Sequence, residues 1–220
     1  MENESVIATL QHAWNGGGFW MYPIAISLMF AIAIGIERVM TLFVRARVNK
    51  DEFVAELTKL IMAGNLQGAI TFVSSQKKTP LVTVVKAGII KSKSNDQVIQ
   101  SALDEATLRE LPRLEKRTGY LAVIANLSML LGLLGTVVGL IKCFAAVSKP
   151  GVDPSLKSVI LADGIAEAMN CTAFGLLSAI TALILFGVLS GKTQHLVDDI
   201  NETAVSVMNL IVNNRDKLKA

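Results

Sequence analysis

The sequence predicts an all-α protein that crosses a membrane three times, with a helical cytoplasmic region into which the second and third spanning helices extend. Three observations carry this. Leu121 to Val147 runs for 27 residues with one late lysine and no carboxylate, longer than the ~20 apolar residues that cross a ~30 Å hydrocarbon layer. Two further stretches are long enough to span: Trp20 to Val44, uncharged until Glu37-Arg38, and Ile160 to Leu189, with Asp163 and Glu167 near its start. Hydrophobic residues make up 52% of the chain and charged residues only 18%, an apolar excess over soluble domains. No apolar–polar alternation of strand type appears in the chain.

The first span has no Lys or Arg before it. It therefore lacks the basic n-region of a cleavable signal and is expected to stay in the mature protein. Basic residues set the expected orientation. Of the 21 Lys and Arg, fourteen fall between Arg38 and Arg117 and four follow from Lys192 onward. The positive-inside rule makes those two regions cytoplasmic. The predicted order is an external N-terminal segment (1–18), a first span (19–44), a cytoplasmic helical region (45–119), a second span (120–147), an external loop (148–159), a third span (160–190) and a cytoplasmic C-terminal helix (191–220). Trp14, Trp20 and Tyr22 suit the outer interface of the first span and Tyr120 the inner interface of the second. The net charge of +3 follows from this asymmetry and calls for no nucleic-acid partner.

The cytoplasmic region reads as short helices. Phe53, Val54, Leu57, Leu60 and Ile61 recur at helical spacing and stop at Gly64-Asn65, a C-cap signal. Leu66 to Ser74 predicts a second helix. Thr79-Pro80 opens a third, with proline in the first turn. Asn95 or Asp96 is expected to cap a fourth, through Leu103 and Leu111, which Pro112 should kink or end by removing a backbone donor. Arg113 to Arg117 then leads towards the second span. About 75 residues of short helices bury little core alone, so they are expected to pack on the cytoplasmic extensions of spans two and three.

Enzyme chemistry has no residues to stand on: the chain carries no phosphate-cradling glycine loop, nucleophile elbow or zinc spacing. No cofactor and no metal are expected, since His12 and His195 lie on opposite sides of the membrane with no second ligand near either. Cys143 and Cys171 fall in the outer halves of spans two and three. A disulfide and two buried free thiols both fit, and buried free cysteine is a common small hydrophobe. Lys142 is expected to snorkel to the outer interface, and Asn126 to make an interhelical hydrogen bond.

The centres of spans two and three are built from small residues. Gly132, Gly135, Thr136 and Gly139 share one face of the second, and Ala168, Thr172, Gly175, Ala179 and Ala182 one face of the third. Such faces let helix backbones approach closely. Thr136 lies 11 residues before Val147 and Thr172 lies 12 after Ile160. At 1.5 Å per residue both sit about 17 Å below the outer surface, near the bilayer middle. Each hydroxyl has two readings: a bond back to its own helix carbonyl, or part of a polar ring in an oligomer.

The strings Leu130-Leu-Gly-Leu-Leu-Gly-Thr-Val-Val-Gly-Leu-Ile141, Leu161-Ala-Asp-Gly-Ile-Ala-Glu-Ala168 and Thr172-Ala-Phe-Gly-Leu176 resemble the MotA/TolQ/ExbB proton-channel family. Glu37-Arg38 and Thr79-Pro80-Leu81 add to the likeness. Three spans and 220 residues suit the TolQ/ExbB branch better than the four-span MotA. One departure is Ala179-Ile-Thr-Ala182, where many relatives carry proline at the third position, which leaves the local helix shape open. The resemblance implies a homopentamer in a bacterial inner membrane whose second and third spans line a pore. That pore would hold a dimer of a single-span ExbD- or TolR-like partner, and a TonB- or TolA-like protein would act beyond it. It implies Thr136 and Thr172 as pore threonines and Glu167 as the acid near the outer end of the third span. Proton flow would drive mechanical work.

The residues bear on that division of labour. Titratable groups deep in a membrane are costly and functional, and this chain has none there: Glu37 is interfacial, and Asp163 and Glu167 lie near the outer end. A conducting complex must take its deep carboxylate from another chain. Glu167 also reads as a solvated acid favoured by a helix N-terminus. Hydroxyls without further oxygen ligands favour protons over sodium as the coupling ion. The alternatives are an oligomeric membrane scaffold that moves no ions, and a small-solute transporter, for which no internal repeat or broken-helix pair is present.

Overall fold

The structure is a computed structural model that describes residues 17–45, 48–151, 153–215 and 217. Of the N-terminal segment 1–18, only Gly17 and Gly18 are described; Trp14 and His12 lie outside the described residues. Among the described residues seven α-helices follow in order: α1 (Met21–Val39), continued by a π-helical turn (Met40–Arg45), α2 (Lys50–Met62), α3 (Leu66–Ser75), α4 (Pro80–Ile90), α5 (Asp96–Glu115), α6 (Thr118–Val147) and α7 (Pro154–Asn213). No strand occurs among the described residues. Three helical stretches are long and apolar enough to cross a membrane, namely Met21–Val44, Asp96–Val147 and Pro154–Asn213, in agreement with the three expected spans. The chain divides into two compact units. One comprises the described residues up to Ile36 with Arg117–Gly187, the other Glu37–Lys116 with the chain from Val188 onward.

The first unit is packed with small residues and covered with large ones. Ala31, Ala125, Ala168, Ala179 and Ala182 are buried together with Ser27, Ser128 and Ser178, while Leu130, Leu133, Ile141, Met169, Leu176 and Ile184 are exposed. A water-soluble fold would reverse this. In lipid, large aliphatic side chains gain nothing by turning inward, and small ones allow close backbone contact. The contacts fix the chain directions. Trp20 meets Gly135 and Ser27 meets Ser128, so α1 runs antiparallel to α6. Gly139 meets Ala168, Gly132 meets Gly175 and Ser128 meets Ser178, so α6 runs antiparallel to α7. Asp153, just before Pro154, accepts bonds from the Ser155 hydroxyl (2.7 Å) and backbone N–H (2.9 Å), which holds its carboxyl below the usual carboxylate range. These contacts start α7 after the short loop. The helix runs on unbroken through Ala179–Ala182, so the absence of proline leaves it straight in hydrogen bonding.

The second unit has a conventional aliphatic core: Phe53, Leu57 and Ile61 of α2, Val73 of α3, Val84, Val85 and Ile89 of α4, Ile99 and Leu103 of α5, and Leu189, Ile200, Val207 and Ile211 of α7. Phe53 and Phe72 stack at 5.7 Å. The caps largely follow the sequence. Asn65 accepts from Gly68 N–H at 2.8 Å, and Thr79 accepts from Val82 N–H at 3.4 Å with Pro80 in the first turn. Asn95 stands at the α5 N-cap but makes no side-chain cap bond; Asp96 instead pairs with Arg215. The expected packing on the third helix is present, with its residues from Val188 onward belonging to this unit.

Of the two outcomes expected at Pro112, a kink or an end, the end does not occur. The helix carries Pro112 inside it and ends at Glu115, and the break falls at Lys116-Arg117, where Arg117 takes a left-handed backbone (φ 68°). α5 and α6 follow each other across that break within the helical stretch Asp96–Val147. The last carbonyls of a helix lack intrahelical donors, and at this end the buried guanidinium of Arg38 donates to Leu114 O.

Two predictions follow from the packing. Gly175→Ala would set a Cβ 2.8 Å from Gly132 Cα and 2.9 Å from Ser128 O, both backbone atoms that cannot swing away. The substitution is expected to destabilise the purified chain by about 1–3 kcal/mol, the cost of overpacking, read as a lower midpoint in detergent-denaturant titration. In the second unit Lys50 donates to Asp199 at 3.0 Å and to Glu202. The Glu202 bond, then the Asp199 bond, raises the amine above its ordinary 10.5. A raised folded value stabilises fully below the unfolded pKa and is lost as pH rises through the folded one. Lys50→Met is therefore expected to lower the unfolding midpoint at pH 7 to 9, less so in high salt. Its difference from the parent should shrink above pH 10.5.

Candidate functional site: a hydroxyl pair on a glycine contact

The contact between α6 and α7 centres on Gly132 and Gly175. A Cβ on Gly132 would lie 3.1 Å from both Cys171 O and Gly175 Cα, so no side chain fits between the two backbones. One turn along, a Cβ on Gly135 would lie 2.9 Å from Cys171 Cβ and 3.0 Å from Trp20 Cβ, and one on Gly139 would lie 3.3 Å from Ala168 Cβ. Ala179 is buried on the same α7 face. All six small residues singled out for packing thus lie on buried or half-buried faces of this hairpin.

That close approach brings Thr136 and Thr172 together. Their hydroxyls hydrogen-bond each other. Thr136 Oγ1 also reaches Gly132 O of its own helix (3.1 Å) and Ala168 O across the interface (3.3 Å), while Thr172 Oγ1 reaches Gly132 O (3.3 Å). The bond back to the own-helix carbonyl is made by Thr136 alone, while Thr172 reaches a carbonyl of the opposite helix. Both side chains are half-buried.

Glu167 does not join the pair. It is exposed, just over one turn before Thr172, and its carboxylate occupies the space a Cβ on Gly18 would need. Gly18 has φ 64°, a conformation glycine adopts without strain. Cys171 donates to Gly17 O at 2.9 Å, so the chain entering α1 lies along this stretch of α7. Cys143 and Cys171 are free thiols, and Cys143 donates to Ile160 O at 3.3 Å. Lys142 is exposed. Asn126, expected to bond a neighbouring helix, is exposed instead, because it points away from the glycine face. No group of three or more potential metal ligands occurs among the described residues.

One cluster was not anticipated. Ser27 of α1, Ser128 of α6 and Ser178 of α7 are all buried. Ser27 and Ser128 hydroxyls lie 2.7 Å apart, and Ser178 donates to Ser128 at 3.1 Å. The signal was present: one serine stands inside each apolar run. The depth comparison applied to the threonines pairs Ser128, 19 residues before Val147, with Ser178, 18 after Ile160, but not Ser27, 7 after Trp20.

Three apolar helices long enough to cross a membrane, two of them pressed together over glycines around a hydroxyl pair, define a helical membrane protein. Residues 76–202 match the sequence model of the MotA/TolQ/ExbB proton channel family, and the chain belongs to that family. It is similar to the biopolymer transport protein ExbB-like 3 of Synechocystis, 28% identical over 172 residues covering 78% of this chain and 80% of that protein. It is also similar to the Tol-Pal system protein TolQ of Haemophilus influenzae, 38% identical over 98 residues covering 44% and 42%. The solved structure of C. jejuni MotAB matches at TM-score 0.66 and 15% identity, covering 93% of this chain and 80% of that one, a likeness of fold.

Proposed function

We propose that this chain is the pore-forming subunit of an inner-membrane motor of ExbB–ExbD or TolQ–TolR type, coupling the proton-motive force to mechanical work in the cell envelope. The observation that carries the reading is the half-buried Thr136–Thr172 pair, in apolar helices whose sequence puts no acid or base at the depth expected for it. Hydroxyls can hydrogen-bond a carboxylate or the waters leading to it, but they do not titrate in the physiological range. The proton-carrying group then belongs to a second chain, a single-span partner with a membrane aspartate, held as a dimer inside a ring of about five copies of this one. Family membership and the ExbB and TolQ relatives support a complex with a partner of ExbD or TolR type. Glu167 would act at the outer mouth and the Gly132, Gly135, Gly139, Ala168, Gly175 and Ala179 surfaces would keep the pore helices close. In this reading the N-terminus is periplasmic, the second unit is cytoplasmic, and a TonB- or TolA-like protein receives the work. The protein is not an enzyme.

A second reading, an oligomeric scaffold without conduction, is favoured by one observation: Thr136 also bonds its own helix carbonyl, as a purely structural threonine would. Proton flux into liposomes holding this chain and its single-span partner separates the two. Flux is expected to require the partner's aspartate, and Thr136→Val or Thr172→Val is expected to reduce it at least ten-fold while the complex still assembles. Parental flux in both variants would overturn the pore role of the threonines. A stable complex that never conducts would establish the scaffold.

A further inference from the structure

The Ser27–Ser128–Ser178 cluster joins all three membrane helices at a single point. Ser128 is its hub: it donates to Ile124 O (2.8 Å), lies 2.7 Å from Ser27 and accepts from Ser178 at 3.1 Å. Ser27 also reaches Ile24 O at 2.7 Å. Ser27 is 5% exposed, Ser128 and Ser178 0%, so no water competes for these bonds. The cluster does not continue as a proton wire, because its outlying bonds end on the backbone carbonyls of Ile24 and Ile124, which cannot pass a proton on.

Its position gives it another use. Along α6, Ser128, Gly132 and Thr136 stand at four-residue intervals on one face. Along α7, Ser178, Gly175 and Thr172 oppose them in reverse order. The glycine contact is thus bracketed by two hydroxyl contacts, the threonine pair on one side and the serine cluster on the other, about 9–12 Å apart along the helices. Glycine surfaces are smooth and lipid supplies no hydrophobic drive between helices, so the Gly132–Gly175 contact alone permits sliding and rolling. A second directional contact removes that freedom, and Ser27 adds α1 as the third support.

We propose that Ser128, through its bonds to Ser27 and Ser178, is a positioning residue that fixes the α6–α7 register at which Thr136 and Thr172 meet. Its functional consequence rests on the pore role of the threonine pair proposed above; the register claim does not.

The test reads register and flux separately. In the full chain with Cys143→Ala and Cys171→Ala, the pair Thr136→Cys/Thr172→Cys reports register by its rate of disulfide formation, which demands close Cβ approach. Ser128→Ala is expected to slow that rate about three-fold to fifteen-fold, the span of measured interhelical hydrogen bonds in membranes. Adding Ser27→Ala to Ser128→Ala should slow it no further, because the hub already serves both links. An unchanged rate in Ser128→Ala, or additive losses in the double variant, would overturn the proposal. Ser27→Thr, which keeps the hydroxyl, should crosslink like the parent; a rate as low as in Ser27→Ala assigns the effect to packing and overturns it too. Should Ser128→Ala fail to fold, Ser27→Ala and Ser178→Ala each remove one link, and parental rates in both would sink the idea. Proton flux is then measured with Thr136 and Thr172 intact. Slowed crosslinking with reduced flux supports both proposals. Slowed crosslinking with parental flux keeps the positioning role and overturns the pore role of the threonines.

Discussion

The membrane unit depends on two helix backbones touching. Between apolar side chains and lipid tails there is little to choose energetically, so helices in a bilayer hold together by close van der Waals contact and by hydrogen bonds. Gly132 and Gly175 supply the first by leaving no side chain at the crossing. Once the backbones are that close, carbonyls on one helix come within reach of hydroxyls on the other, and Thr136 and Thr172 bond across to Ala168 O and Gly132 O. The polar contacts follow from the glycine contact, and the directional bonds restrict the ways two smooth surfaces can lie together.

The same chain obeys two solvent regimes. Around Phe53, Val85, Leu103 and Ile200 large side chains are buried, as burial of apolar area from water requires. Around Ser128 and Ala168 the small side chains are inside and the leucines outside. α7 takes part in both: its residues from Leu189 present large aliphatics to a core, whereas those from Ala168 to Ala182 present alanine, glycine and hydroxyls.

The hydroxyls divide by setting. Ser27, Ser128 and Ser178 are sealed off and satisfied, which suits them to holding helices. Thr136 and Thr172 are only half-buried and so keep a side on which a partner or water can bond them. Low-dielectric surroundings make both kinds of contact matter more than they would in water.

The three spans, the all-α class, the short helices opened by Asn65 and Thr79-Pro80, and the equal depth of Thr136 and Thr172 are all legible in the sequence, because length, periodicity and capping are local properties. So are the small-residue faces, since 100° per residue places Gly132 beside Thr136 without any knowledge of a neighbour. Other features waited for the tertiary structure. That the end of α5 is capped depends on Arg38, 76 residues away, reaching Leu114 O. That Asn126 is exposed while Ser128 becomes a hub depends on which side of α6 the other helices occupy, and two residues' difference turns the side chain by about 200°. The sequence by itself determined which surfaces can touch; only the fold decided which ones do, because hydrogen-bond partners and helix register are set by residues distant along the chain.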